Sequence, residues 1–100
     1  MNITKHQNGE KLTLELSGEI NEAGGMELKN SLSSVDFMKS KEVELDMAGV
    51  TMIGSSGIGK ILLFYKELTI SGGRLSIVRT PNNIKMLFKE LKFDTLFPIS

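Results

Sequence analysis

Leu12, Leu14 and Leu16 alternate with Lys11, Thr13 and Glu15. That period of two predicts a half-buried strand over Lys11–Ser17, ended by Gly18. Asn8-Gly9 joins it to a short segment around Ile3, because both residues tolerate the positive φ of a tight primed hairpin turn. Leu28, Leu32 and Val35 then recur at helical spacing behind Asn21, a suitable N-cap. Gly24 and Gly25 weaken the first turn by roughly 1 kcal/mol each relative to alanine, so this helix is expected to start late or fray.

Val43 and Leu45, set against Glu42, Glu44 and Asp46, mark another strand, and Val50 to Ile53 forms a short apolar approach to a glycine-rich loop. After the loop, Ile58, Ile61, Leu62, Tyr65 and Thr69 share one helical face at about 100° per residue. Ser71-Gly72-Gly73 supplies a stop. Leu75, Ile77 and Val78 predict the last strand, with Thr80 and Pro81 as N-cap and first residue of a helix whose apolar face is Ile84, Leu87, Phe88 and Leu91. A short apolar tail, Leu96-Phe97-Pro98-Ile99, follows. The order strand, strand, helix, strand, helix, strand, helix predicts an α/β fold, a mixed β-sheet with helices packed against it.

One hundred residues with 40% apolar content suit a single domain and a single core. Twelve basic side chains balance twelve acidic ones without clustering, which argues against a phosphate-backbone footprint and hence against nucleic acid as a partner. There is no cysteine for a disulfide or thiolate site, and the lone imidazole, His6, is no basis for a metal centre. The longest apolar run, Ile61 to Tyr65, is far too short to insert in a membrane, and the first residues lack the apolar segment of a signal peptide. A cytoplasmic location is the expectation.

The chemistry concentrates in Gly54-Ser55-Ser56-Gly57-Ile58-Gly59-Lys60. A glycine-rich turn at a helix start leaves backbone N–H groups free beside two hydroxyls, a setting for an anion or for a serine that becomes one. The segment fits G-x-x-x-x-G-K, but Ile61 stands where a nucleotide cradle needs a hydroxyl for magnesium. The spacing of Gly54, Gly57 and Gly59 is wrong for a dinucleotide fingerprint. G-S-S-G is not a nucleophile elbow, and no base stands ready to activate either serine. What remains is a helix cap, a modifiable serine, or both. Phosphate on Ser55 would add about −1.5 to −2 charges where the helix dipole tolerates them.

Val43-Glu44-Leu45-Asp46, followed by Gly49-Val50-Thr51-Met52-Ile53-Gly54-Ser55-Ser56-Gly57-Ile58-Gly59, resembles the STAS domain of bacterial anti-sigma factor antagonists. In that family a strand ends in Asp and a turn leads to an Asp-Ser-Ser/Thr-Gly-Leu/Ile-Gly loop opening a helix. Gly18-Glu19-Ile20-Asn21 is similar to the family's Gly-Glu-Leu-Asp segment, and Gly72-Gly73 and the Pro81 to Phe88 helix also fit. The resemblance covers residues 1–100 as one STAS domain. It implies a phosphoswitch with no catalysis or cofactor of its own. The unphosphorylated form would bind a serine kinase or anti-sigma factor of the histidine-kinase-like ATPase type. That kinase would phosphorylate Ser55, with Ser56 as capping neighbour and alternative acceptor, and a PP2C-type phosphatase would restore binding. A non-switching STAS scaffold, or a subunit of a transport or stress-signalling complex, is the other role the resemblance allows.

Two positions depart from the family pattern: Gly54 replaces the acid before the serine, and Asn21 replaces the Asp of the earlier segment. Both remove negative charge near the loop. Asp46 is retained, either as a turn or cap acceptor or as a residue that shapes the loop. Asn21, Asp46, Gly54, Ser56, Gly57, Gly59 and Lys60 are the expected loop and partner-binding residues. Leu63 and Phe64 fall roughly 120–140° to either side of the apolar helix face, flanking Lys60 and Glu67, and are expected to anchor the partner. On that reading a polar residue in place of Phe64 weakens binding and spares the fold.

Overall fold

A computed structural model describes residues Met1–Ser100. Strands β1 (Asn2–Asn8) and β2 (Lys11–Ile20) form a hairpin, followed by α1 (Glu22–Ser33), β3 (Glu42–Ile53), α2 (Ser55–Ile70), β4 (Arg74–Val78) and α3 (Asn82–Glu90), with a 3₁₀ turn at Phe93–Thr95. The sheet order is β1-β2-β3-β4, with β1 antiparallel to β2 and the other pairs parallel. Parallel neighbours need a crossover, and α1 and α2 supply the two. The expected alternation and mixed sheet are therefore present.

Alternation in the strands sets up two unlike faces. Leu12, Leu14 and Leu16 of β2, Val43, Leu45 and Met47 of β3, and Leu75 and Ile77 of β4 point into one apolar core under the helices. A chain of rings closes its far side, running from Tyr65 on α2 through Phe97 and Phe93 to Phe88 on α3 with centroid spacings of 5.2, 5.6 and 5.5 Å. The tail joins in: Ile99 bridges Ile77 in parallel beside β4. The opposite face of the sheet is polar and carries three ion pairs, Lys11–Glu44, Arg74–Glu42 and Arg79–Asp46, together with the contact between His6 Nε2 and Glu15.

Several boundaries differ from the sequence expectation. The hairpin turn is centred on Gly9-Glu10, and only Gly9 takes positive φ, at 62°. Gly18 does not end β2; at φ 96° it lets the strand buckle and run on to Ile20. Residues Val43 to Ile53 belong to a single strand, β3, interrupted by register shifts opposite Glu15/Ser17 and Gly18/Glu19. Each shift inserts an extra residue in β3, so the inward positions pass from Val43, Leu45 and Met47 to Val50 and then Ile53. A bulge breaks the period of two, and the broken period looked like two segments.

The first helix starts at Glu22, immediately after its cap, in spite of Gly24 and Gly25. Both glycines are buried where a side chain would not fit. A Cβ on Gly24 would lie 2.5 Å from the Glu19 carbonyl oxygen, and one on Gly25 2.6 Å from Ser56 Oγ. Close packing outweighs their weak helix propensity. At α3, Pro81 is the cap itself and the helix begins at Asn82, one residue later than expected.

The buried face of α2 is also rotated from the expected one. Gly57, Ile61, Phe64 and Leu68 are buried, whereas Thr69 is exposed. Phe64 is 3% exposed and packs tilted against Phe37, with centroids 5.8 Å apart and ring planes at 47°. It is a core residue, so its expected role as a surface anchor is corrected. The reason is that α1 packs along one flank of α2 and the ring chain along the other. The covered arc is wider than a single stripe.

Candidate functional site at the start of the second helix

Strands β2 and β3 end side by side, Ile20 opposite Ile53, and each enters a helix through one residue. Asn21 caps α1: its Oδ1 accepts from the Gly24 N–H at 2.9 Å and its carbonyl from the Gly25 N–H at 2.7 Å. Gly54 occupies the corresponding place before α2. Its N–H donates to the Ile20 carbonyl at 2.9 Å, and its carbonyl accepts from the Ile58 N–H at 3.1 Å. The two helix starts thereby open into one shallow cleft lined by Asn21, Glu22, Gly54, Ser55 and Ser56.

Gly54 offers no side chain to cap α2, and the first turn carries no acid. The positive end of the α2 dipole therefore has no acid within its own first turn at Ser55 and Ser56, and Glu22 of α1 is the acid that lines the shared cleft. The backbone of Gly54, at φ −98° and ψ 177°, is open to any residue, and a Cβ there would approach nothing closer than the Ile20 carbonyl oxygen at 3.7 Å. Glycine is thus not a steric requirement at this position. Its effect is the absence of an acceptor.

The two serines differ. Ser55, the first helical residue, is exposed, while Ser56 is half-buried with its hydroxyl lodged against Gly25 of α1. Gly57 is sterically fixed, since a Cβ would fall 2.5 Å from Ile20 Cγ2. Gly59 is exposed and a Cβ there would meet nothing within 4 Å. At about 100° per residue, Ser55, Gly59, Leu62, Leu63, Lys66 and Ile70 share the outer face of α2. Leu63 is 54% exposed and Ile70 87% exposed on that face.

Lys60 and Leu63 also border a groove between α1 and α2, whose floor includes Leu32, Val35, Phe37 and Phe64. Asp46 lies elsewhere. It sits in the middle of β3 at the first bulge, not at a strand end, where Oδ1 accepts from the Ala48 N–H at 3.1 Å and Oδ2 accepts from Arg79 Nε at 2.8 Å. Burial pushes its pKa up, but the hydrogen bonds from Arg79 and Ala48 and the guanidinium charge outweigh that, so the carboxyl is held below its ordinary range. These contacts shape the bulge and the β4–α3 connection. A separate concavity of about 460 Å³, lined by residues of β3 and β4 with Tyr65 and Phe97, shares no residue with the serine cleft.

Sequence reasoning missed Arg79, Lys29 and Phe37. Arg79 meets Asp46 across a separation of 33 residues, and Phe37 lies in a loop with no periodic pattern. Lys29 gains meaning only once α1 is laid beside α2.

The family profile that matches this chain is the STAS domain, over residues 2–100. BtrV of Bordetella bronchiseptica, described as an anti-sigma factor antagonist, is 26% identical over 85 residues, which is 85% of this chain and 73% of BtrV. Among solved structures, an anti-sigma factor antagonist from Mycobacterium paratuberculosis superposes with a TM-score of 0.86 at 18% identity, covering 98% of this chain and 83% of that one. The Bacillus cell fate determinant SpoIIAA in its phosphorylated form gives a TM-score of 0.79 at 16% identity, covering 99% of this chain and 91% of that one. No helix here is long and apolar enough to cross a membrane.

Proposed function

The chain belongs to the STAS domain family, and we propose that it acts as a regulatory binding protein of the anti-sigma factor antagonist kind, switched by phosphorylation of Ser55. Unphosphorylated, it docks on a serine kinase or anti-sigma factor of the histidine-kinase-like ATPase type. Phosphorylated, it is released until a PP2C-type phosphatase removes the group. The chain's role on this reading is binding rather than catalysis.

The observation that carries the reading is the exposed Ser55 hydroxyl at the uncapped start of α2. A phosphate there meets the positive end of the helix dipole and free backbone donors, so the fold accommodates about −1.5 to −2 added charges without rearranging. The same charge stands at one end of the outer face that bears Leu63 and Ile70. A partner surface fitted to a neutral hydroxyl and apolar side chains would then bury an unpaired charge, which is costly. The relatives described as anti-sigma factor antagonists, and the phosphorylated form known for SpoIIAA, lend support. Ser56, held against α1, is the less accessible acceptor.

The test is incubation with ATP and the purified kinase from the same genome, followed by intact-mass measurement and peptide mapping. One added phosphate on Ser55 supports the switch. An unchanged mass in a protein that still binds the kinase favours a non-switching STAS scaffold instead.

A further inference from the structure

The two helices that meet at Gly25 and Ser56 run side by side, because both follow parallel strands. One turn beyond that contact, α1 carries Lys29 and α2 carries Lys60, and both border the same groove of about 180 Å³. Neither lysine joins an ion pair; the ion pairs of the molecule, Lys11–Glu44, Arg74–Glu42 and Arg79–Asp46, lie on the opposite, open face of the sheet. Two like charges thus face one groove without an acid between them. The floor beyond them is apolar, made by Leu32, Val35, Phe37 and the buried Phe64, with the exposed Leu63 on the rim. Glu67 stands at the far end, so the groove is positive at the end nearer Ser55 and negative at the other.

We propose that this groove docks an acidic, amphipathic segment of the partner kinase, one apolar side chain seated between Phe37 and Leu63 and its carboxylates against Lys29 and Lys60. The occupant follows from charge complementarity: a carboxylate neutralises the paired ammonium groups, and an apolar side chain covers the floor they border. Along α2, Leu63 lies eight residues from Ser55, about 12 Å at the helical rise. The groove is therefore a second foothold, separate from the serine that phosphorylation alters. It offers selectivity among kinases that all fit the serine cleft. The inference rests on the kinase-binding reading above.

The experiment titrates the purified kinase with wild type, Lys29→Glu/Lys60→Glu, Lys29→Gln/Lys60→Gln and Leu63→Glu, each checked for native circular dichroism. Wild type is expected to bind less tightly as salt rises. The double reversal weakens binding tenfold or more and flattens that salt dependence, with the double Gln variant between. A photo-cross-linker at position 63 is expected to label an acidic stretch of the kinase. Affinity and salt dependence equal to wild type in both double variants would overturn the groove while leaving the kinase reading intact. Cross-linking to a basic stretch, or a wild-type dimer dissolved by Leu63→Glu, would overturn it likewise. No wild-type binding at all would overturn both readings.

Discussion

Arg79, the residue directly after β4, grips Asp46 on the neighbouring strand, donating to Oδ2 from both Nε, at 2.8 Å, and Nη2. Asp46 is only 5% exposed, and Arg79 reaches it from a left-handed backbone at φ 52°. A non-glycine residue in that region is locally disfavoured, so the surrounding contacts hold it there. The pair ties the bulge in β3 to the turn that launches α3.

This pair gives the fold a pH dependence. Asp46 has its pKa lowered in the folded chain, with burial opposing and the Arg79 and Ala48 hydrogen bonds prevailing. Its contribution to stability is therefore present above the unfolded carboxylate value, about pH 4, and is lost as pH falls through the lower folded value. Asp46→Asn is expected to be less stable than wild type at pH 6, with the gap narrowing as the pH is taken toward 2.5. Urea midpoints across that range read it; a gap that stays constant or widens on acidification would refute the assignment.

Leu63 and Phe64 are neighbours with opposite expected behaviour. Phe64→Ala removes a ring from the core and should cost about 3–5 kcal/mol of stability. Leu63→Ser, on the exposed rim, should stay within about 0.5 kcal/mol of wild type. Chemical denaturation of the two variants tests this, and equal stabilities would mean that α2 is rotated differently.

The two glycines near the start of α2 divide in the same way. Gly57→Ala presses a methyl into Ile20, which must shift, and is expected to destabilise by about 1–3 kcal/mol. Gly59→Ala enters open space and should stabilise α2 by up to about 1 kcal/mol. Thermal melts of the pair give opposite signs if the packing is as described.

For the switch, Ser55→Ala should bind the kinase like wild type and Ser55→Asp at least tenfold more weakly. Isothermal titration decides it, and an Asp variant with wild-type affinity would sink the phosphoswitch for this chain. Ser56→Ala separates the two serines, since it should leave phosphate incorporation intact.

Local chemistry made much of this molecule legible in the sequence. Alternation in Lys11–Ser17 marked β2, and Asn21 was identifiable as a cap because a side-chain acceptor three residues before a free N–H is a local relationship. The element order followed from the switch between periods of 2 and 3.6. The segment Gly54 to Lys60 was recognisable from its glycines and hydroxyls as a helix start, although the helix already begins at Ser55 and only Gly54 lies outside it. These are properties that a residue carries with its immediate neighbours.

What tertiary structure alone decided was which side of an ambiguous element is covered. Helix α2 is apolar around most of its circumference, so periodicity could not say that Phe64 faces inward and Leu63 outward. That choice was made by α1 on one flank and the ring chain on the other. The same holds for Gly25, whose buried place beside Ser56 outweighed its poor helix propensity, and for β3, whose bulges scrambled its alternation. Asp46 shows the limit most plainly: one of the two roles its sequence position allowed, a turn acceptor, is met locally by the Ala48 N–H, but its other oxygen answers to Arg79, 33 residues away, and not to the serine segment. Pairings at that separation are set by strand order and register, which no local pattern encodes.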